Sequence, residues 1–137
     1  MSEYAKRRKL TQAERLEVYN KTDGHCAYCG IEITLKQMQV DHVIPMEFFD
    51  VYNAIGKNLD EIENMLPTCR SCNNYKSSLT LDKFRTAIER WPTILLRDNV
   101  TYKNAVRFEM VVPNPHSVQF YFEKIGLKLE DDSHETD

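Results

Sequence analysis

Apolar side chains recur at intervals of three and four residues in two stretches of the chain, a spacing typical of helices that bury one face. In the first stretch, residues 12–21, Thr11 and Glu14 fit a capping box that satisfies free amides at a helix start. Its apolar side consists of Ala13, Leu16 and either Val18 or Tyr19. The pattern predicts a helix here, ended by the turn Asp23-Gly24.

The second stretch predicts a longer helix with one buried face. Its apolar positions are Leu81, Phe84, Ala87, Ile88 and Trp91. Thr80 is placed to cap the start, and Pro92 is expected to stop the helix because proline lacks a backbone donor. We expect this helix to serve the core or an interface, not the chemistry.

Runs rich in β-branched residues predict short strands. Residues 31–35 and 39–44 are two such runs, and the second should end at Pro45. Residues 46–58 read as a loop or short helix. The pattern therefore predicts a pair of strands between two regions that contain cysteines.

Beyond the strands, residues 70–78 should begin a helix, residues 105–112 look strand-like, and residues 117–124 look helical, with Gly126 as the end. The chain has 137 residues, which suits one domain with a modest core. We assign residues 1–129 to that domain, with an accessory extension over residues 79–129.

Charge is unevenly distributed along the chain. Residues 130–137 hold five of the 21 acidic residues and no Lys or Arg, which leaves 18 basic against 16 acidic side chains in residues 1–129. We expect the acidic segment to be a disordered, solubilising tail rather than a regulatory element. The overall charge of -3 therefore does not exclude a DNA-binding face.

Two Cys-x-x-Cys pairs, Cys26 with Cys29 and Cys69 with Cys72, carry most of the functional information. Each pair sets two thiolates at the separation that tetrahedral zinc requires, and two pairs complete a closed four-sulfur site. Two disulfides are the alternative, and a redox pair is another. No apolar stretch follows the basic run at residues 6–9, so we expect neither a signal peptide nor a membrane span, and a reducing cytoplasm favours zinc.

The order and spacing of the remaining polar residues resemble the HNH endonucleases. The matching elements are Cys26-x-x-Cys29-Gly30, Asp41-His42-Val43-Ile44-Pro45, Asn64, and Cys69-x-x-Cys72-Asn73-x-x-Lys76. The resemblance covers residues 6–78. It implies an α+β fold, a small zinc-stabilised ββα-metal finger of treble-clef type with flanking helices.

The resemblance also implies a chemistry for these positions. His42 would be the general base that takes a proton from water, and Asp41 with Asn73 would hold one Mg²⁺ or Mn²⁺. Cleavage of DNA would leave a 5′ phosphate and a 3′ hydroxyl. Asn64 would tie the loop to the strand that carries the base and so orient His42.

Two basic residues are candidates for DNA phosphate contacts. Lys76 lies one helical turn after Asn73, although a solvated surface lysine is an equal alternative, and Arg70 is the second candidate. Asn73 stands where many members of the family have a histidine, which removes a second imidazole but keeps an oxygen ligand. His25, although next to Cys26, is not expected to bind zinc, and His116 and His134 read as surface residues.

Three functions remain open. The first is a metal-dependent DNA endonuclease or nickase in the cytoplasm of a bacterium or a phage-infected cell. Since one site cuts one strand, a homodimer is possible. The second is a zinc-stabilised DNA-binding module without cleavage. In that module the basic run at residues 6–9 and Arg70 would contact the DNA phosphates. The third is a zinc-built module that binds or inhibits a protein partner.

Overall fold

A computed structural model of the chain describes residues 7–129. The helices are α1 (Gln12–Asn20), α2 (Phe49–Asn53), α3 (Arg70–Lys76), α4 (Leu81–Asp98), α5 (Val100–Arg107) and α6 (Tyr121–Lys124), and the strands are β1 (Gln39–His42) and β2 (Met65–Thr68). Single 3-10 turns lie at Met46–Phe48 and Ile62–Asn64. Lys6, His134 and the acidic segment 130–137 lie outside the described residues, so what was predicted for them stays a prediction.

The fold is mixed, with helices around one small sheet, as the α+β prediction states. β1 and β2 pair antiparallel, with Asp41 opposite Leu66 and His42 opposite Met65. α3 follows directly after β2, which completes the ββα arrangement. The predicted strand at residues 39–44 is therefore confirmed, two residues shorter than expected.

The first of the two predicted strands, at residues 31–35, is wrong. Residues 31–35 form no strand, because their backbone closes the first cysteine pair instead. The Cys26 amide donates to the Ile31 carbonyl at 2.8 Å, and the Ile33 amide donates to the Gly24 carbonyl at 2.8 Å. The strand that pairs with β1 is Met65–Thr68. The sequence did not indicate this strand because it contains Pro67, and proline is rare inside sheets.

Helix α1 is confirmed together with its capping box. The Glu14 amide donates to Thr11 Oγ1 at 3.1 Å, and the Thr11 amide donates to Glu14 Oε1 at 3.0 Å. Its buried side is narrower than predicted: Val18 is fully buried, whereas Leu16 is 46% exposed.

Helix α4 begins as predicted, with Thr80 Oγ1 accepting the Lys83 amide at 3.3 Å. The predicted stop at Pro92 is wrong, because Pro92 lies inside a helix that continues to Asp98. A proline removes one backbone donor, yet the turns on either side can still form. The helix ends at Asp98, and the side chain of the next residue, Asn99, accepts the Tyr102 amide and caps α5.

The last part of the chain also differs from its prediction. Residues 105–107 are the final turn of α5, not a strand, because the Asn99 cap starts a helix five residues earlier. Of residues 117–124, only Tyr121–Lys124 is helical. Residues 117–120 have no regular secondary structure, since the Val118 amide donates to Glu89 at 2.7 Å and the chain then docks on the first cysteine pair.

Two apolar clusters hold the two-stranded sheet in place. Tyr28, Phe84, Phe120 and Phe122 form an aromatic cluster between the first cysteine pair, α4 and the C-terminal segment. Val18, Met38 and Met65 form a second cluster between α1 and the two-stranded sheet. The strand that carries Asp41 and His42 is therefore supported from both sides.

Candidate active site and metal centre

The four cysteines come together in one cluster, as predicted. Their Sγ atoms all lie within 4.8 Å of one another. The Sγ atoms of Cys29 and Cys69 are 3.8 Å apart, and tetrahedral zinc with bonds of about 2.3 Å to sulfur spaces its ligands by about 3.8 Å. All four are free thiols. The cluster therefore fits a structural zinc ion.

The thiols influence one another's ionisation. The hydrogen bond from Cys72 lowers the pKa of Cys26 to about 4, and the same bond raises the pKa of Cys72. Burial raises the pKa of Cys29 to about 11. Four thiolates in so small a space need a cation, and a bound metal supplies the charge that deprotonates its ligands.

Local backbone geometry shapes each cysteine pair. Gly30 has φ +83°, and a Cβ at this position would lie 2.9 Å from Tyr121 Cδ1, so glycine is required by both conformation and space. In the second pair, Cys69 is the N-cap of α3 and its Sγ accepts the Cys72 amide at 3.4 Å. His25 lies outside the cluster and stacks on Tyr121 with ring centroids 5.1 Å apart.

A cleft of about 430 Å³ opens beside the end of β1. Its lining is Arg7, Val40, Asp41, His42, Pro45, Met46, Glu47, Asn73, Ser77 and Ser78. Three of the predicted site residues, Asp41, His42 and Asn73, thus meet at one surface. Asn64, Arg70 and Lys76 do not line it.

Asp41 uses only one of its two carboxylate oxygens. The Tyr28 hydroxyl donates to Oδ2 at 2.6 Å, and Lys76 Nζ lies 3.0 Å from the same atom. Within residues 7–129, Oδ1 has no hydrogen-bond partner, and neither has the Asn73 side chain. Both residues line the cleft, so a carboxylate oxygen and an amide oxygen remain for a hard cation such as Mg²⁺.

Lys76 is the clearest departure from expectation. It is fully buried, so it is not a solvated surface lysine, and in this arrangement its ammonium is not presented to a DNA backbone. Burial lowers the pKa of Lys76 and raises the pKa of Asp41, and the attraction between the two charges opposes both shifts. The prediction of a surface position for Lys76 is wrong because the helical turn after Asn73 packs against β1 and does not face solvent.

His42 has one engaged and one free ring nitrogen. Nε2 lies 2.8 Å from Asp60 Oδ1, whereas Nδ1 is buried without a partner in the described part of the chain. Burial lowers the pKa of His42, although the hydrogen bond to Asp60 opposes the shift. The neutral imidazole is therefore favoured, and its Nδ1 is available to accept a proton.

Asp60 and Arg7 are the residues of this region that sequence reasoning did not assign to a nuclease site. Asp60 is 7% exposed, and its other carboxylate oxygen accepts the Arg8 amide at 2.8 Å. No motif spacing marks it, since it is one of several acids in a loop. Arg7 is exposed and lines the cleft. Arg70 is exposed on the first turn of α3.

Asn64 ties the loop to Ile44, just after the strand that carries His42. Its Oδ1 accepts the Ile44 amide at 2.9 Å, and its Nδ2 donates to the carbonyls of Ile44 at 3.0 Å and Leu59 at 2.9 Å. None of these bonds reaches His42. Since Leu59 directly precedes Asp60, any effect of Asn64 on the imidazole is indirect.

Comparison with known proteins finds a similarity for the central part of the chain. The family model described as HNH endonuclease matches residues 26–79. Among solved structures, the type II-C Cas9 enzyme from Actinomyces naeslundii matches with 23% identity and a TM-score of 0.45, over 63% of this chain and 9% of that one. No curated protein matches. Among residues 7–129, no helix is long and apolar enough to cross a membrane.

Proposed function

We propose that the protein is a metal-dependent endonuclease that hydrolyses DNA phosphodiester bonds, since residues 26–79 match the family model described as HNH endonuclease. The observation that carries the proposal is that two adjacent residues lining one cleft each keep an unengaged polar atom. His42 Nδ1 has no partner within residues 7–129, and the unused oxygen of Asp41 belongs to the adjacent residue of the same strand. A base and a cation ligand side by side suit hydrolysis of a phosphodiester.

In this proposal each side chain has one role. His42 accepts a proton from the attacking water at Nδ1, while Asp41 and Asn73 would hold one Mg²⁺ or Mn²⁺. Such an ion, when bound, neutralises charge on the phosphate and on the leaving 3′ oxygen. The water oxygen bonds to phosphorus as the P–O3′ bond breaks, and the leaving 3′ oxygen takes a proton from solvent, which leaves a 5′ phosphate and a 3′ hydroxyl. Arg7, exposed at the cleft, supplies positive charge for the DNA backbone.

The cysteine cluster supports a separate, structural role for zinc. It lies where the first cysteine pair meets the start of α3, and it contributes no residue to the cleft at Asp41. Thiols of this kind persist in a reducing compartment, which supports the cytoplasm as the location. A homodimer that places two clefts on opposite strands remains part of the proposal.

The test is nicking of supercoiled plasmid by the zinc-loaded protein, with Mg²⁺, Mn²⁺ or no added ion. Wild type and His116→Ala, which changes an exposed histidine that does not line the cleft, should both nick in an ion-dependent manner. His42→Ala should lose at least about 100-fold in rate, the lower end of what a general base contributes, and should still shift DNA in a gel.

The other possible results of the plasmid assay would contradict the proposal or support a different function. Cleavage by His42→Ala at the wild-type rate would remove His42 as the base. A wild-type protein that shifts DNA but never cuts it would favour the DNA-binding module. A protein that does neither would favour a protein-interaction module.

A further inference from the structure

We propose that Asp60, held by the main-chain amide of Arg8, is a positioning residue that determines which nitrogen of His42 accepts the proton. The segment ahead of α1 then becomes part of the catalytic site. This inference rests on the proposed function, since it assigns a helper to the base of that reaction.

The two carboxylate oxygens of Asp60 have separate tasks. Oδ1 faces His42 Nε2 at 2.8 Å, and Oδ2 accepts the Arg8 amide at 2.8 Å. His42 and Asp60 are each 7% exposed, so water competes little for either bond. The carboxylate is therefore held from one side and bound to the imidazole on the other.

The chemistry of a carboxylate decides the tautomer. An ionised carboxylate only accepts hydrogen bonds, so Nε2 must carry the proton in the neutral imidazole. Nδ1 is then the lone-pair nitrogen, and it is the atom left without a partner in the described part of the chain. The free nitrogen and the proton-accepting nitrogen are thus the same atom.

Arg8 is itself anchored, which makes the arrangement rigid. Its Nε donates to the Asp60 carbonyl at 2.9 Å, and its guanidinium donates to Glu14 at 2.7 Å. Glu14 belongs to the capping box of α1. A continuous set of bonds therefore runs from the start of α1 through Arg8 and Asp60 to the imidazole.

Asp60→Asn is the sharpest substitution because it keeps the shape of the side chain. The Arg8 amide requires an oxygen, so the new amide nitrogen must face His42 Nε2 and donate to it. Nε2 then becomes an acceptor, and the proton moves to Nδ1, the nitrogen that should take a proton from water. We expect kcat to fall by about 10²- to 10⁴-fold, the contribution of a positioned general base, with KM nearly unchanged.

A second readout does not depend on activity. Long-range ¹H–¹⁵N NMR spectra of the zinc-loaded protein at pH 8 report the tautomer, with the His42 signals assigned by comparison with His42→Ala. Wild type should show a protonated Nε2 and a bare Nδ1, and Asp60→Asn should show the reverse. The matched control is Asp50→Asn, the same substitution at an exposed acid of α2 that does not line the cleft, which should keep the wild-type tautomer and kcat.

The outcomes separate this inference from the proposed function. A wild-type spectrum with the proton on Nδ1 would overturn the positioning role, even if Asp60→Asn failed to fold. Wild-type kcat and tautomer in Asp60→Asn would overturn it too, with the nuclease proposal intact. A wild type that does not cut DNA would end the nuclease proposal, while the spectra would still decide whether Asp60 sets the imidazole.

Discussion

Lys76 Nζ lies 3.0 Å from Asp41 Oδ2, inside the protein rather than at its surface. The same ammonium donates to the main-chain carbonyls of His42 at 3.2 Å and Val43 at 3.1 Å. One buried cation thus joins the end of α3 to the strand that carries the proposed base. It also occupies one oxygen of Asp41 and leaves the other for the cleft.

Lys76→Met should destabilise the fold strongly. Removing one partner of a buried ion pair leaves an uncompensated charge, which costs about 3–5 kcal/mol of unfolding free energy. The measurement is urea denaturation of the zinc-loaded protein. Lys83→Met, on an exposed lysine of α4, should stay within about 0.5 kcal/mol of wild type. Equal stability of the two variants would contradict the buried-pair role.

Cys69→Ser should remove zinc and loosen the whole domain because it removes one of the four sulfur ligands, whereas a serine can still cap α3. The zinc content, measured by metal analysis, should fall from about one ion per chain to well below that. The melting temperature should fall with it. Ser71→Ala, an exposed substitution within the same cysteine pair, should change neither. Normal zinc content in Cys69→Ser would refute the four-sulfur site.

Asn64→Ala and Asn73→Ala should separate structure from chemistry. Asn64 is 8% exposed and makes three hydrogen bonds to main-chain atoms, so its loss should cost about 1–3 kcal/mol of stability.

Asn73→Ala should stay within about 0.5 kcal/mol of wild type, since the side chain has no hydrogen bond within residues 7–129, but it should lose cleavage. Denaturation and plasmid nicking measure the two effects. A stable, active Asn73→Ala would exclude Asn73 as a cation ligand.

The pH dependence of cleavage should reflect the buried imidazole. Burial lowers the pKa of His42 below its ordinary value of 6.5, and the neutral form is the one that accepts a proton. Activity should therefore persist to lower pH than an exposed histidine allows, with the acid limb of kcat/KM centred below 6.5. A midpoint above 6.5 would mean that burial does not dominate at this site.

Features that depend on neighbours in the chain could be read from the sequence. The capping box of α1, the Thr80 cap of α4 and the two cysteine pairs all depend on residues no more than three apart, so spacing alone identifies them. The order Asp41, His42, Asn73 around those pairs pointed to one site, and the cleft brings the three together.

Features that depend on distant contacts could not be read in this way. β2 contains Pro67 and pairs with β1, which lies more than twenty residues earlier in the chain. Its local sequence pattern therefore did not indicate a strand. α4 continues through Pro92 although local preference opposes it.

The sequence by itself indicated the four-cysteine cluster through residue type and spacing, and its resemblance to the HNH endonucleases supplied the candidate catalytic residues. Only the tertiary structure decided which partners they have. Lys76 turns inward to Asp41, and Asp60, held by Arg8 from 52 positions away, meets His42. The physical reason is that burial obliges each charge to find a partner, and the identity of that partner depends on packing between segments that are distant in the chain.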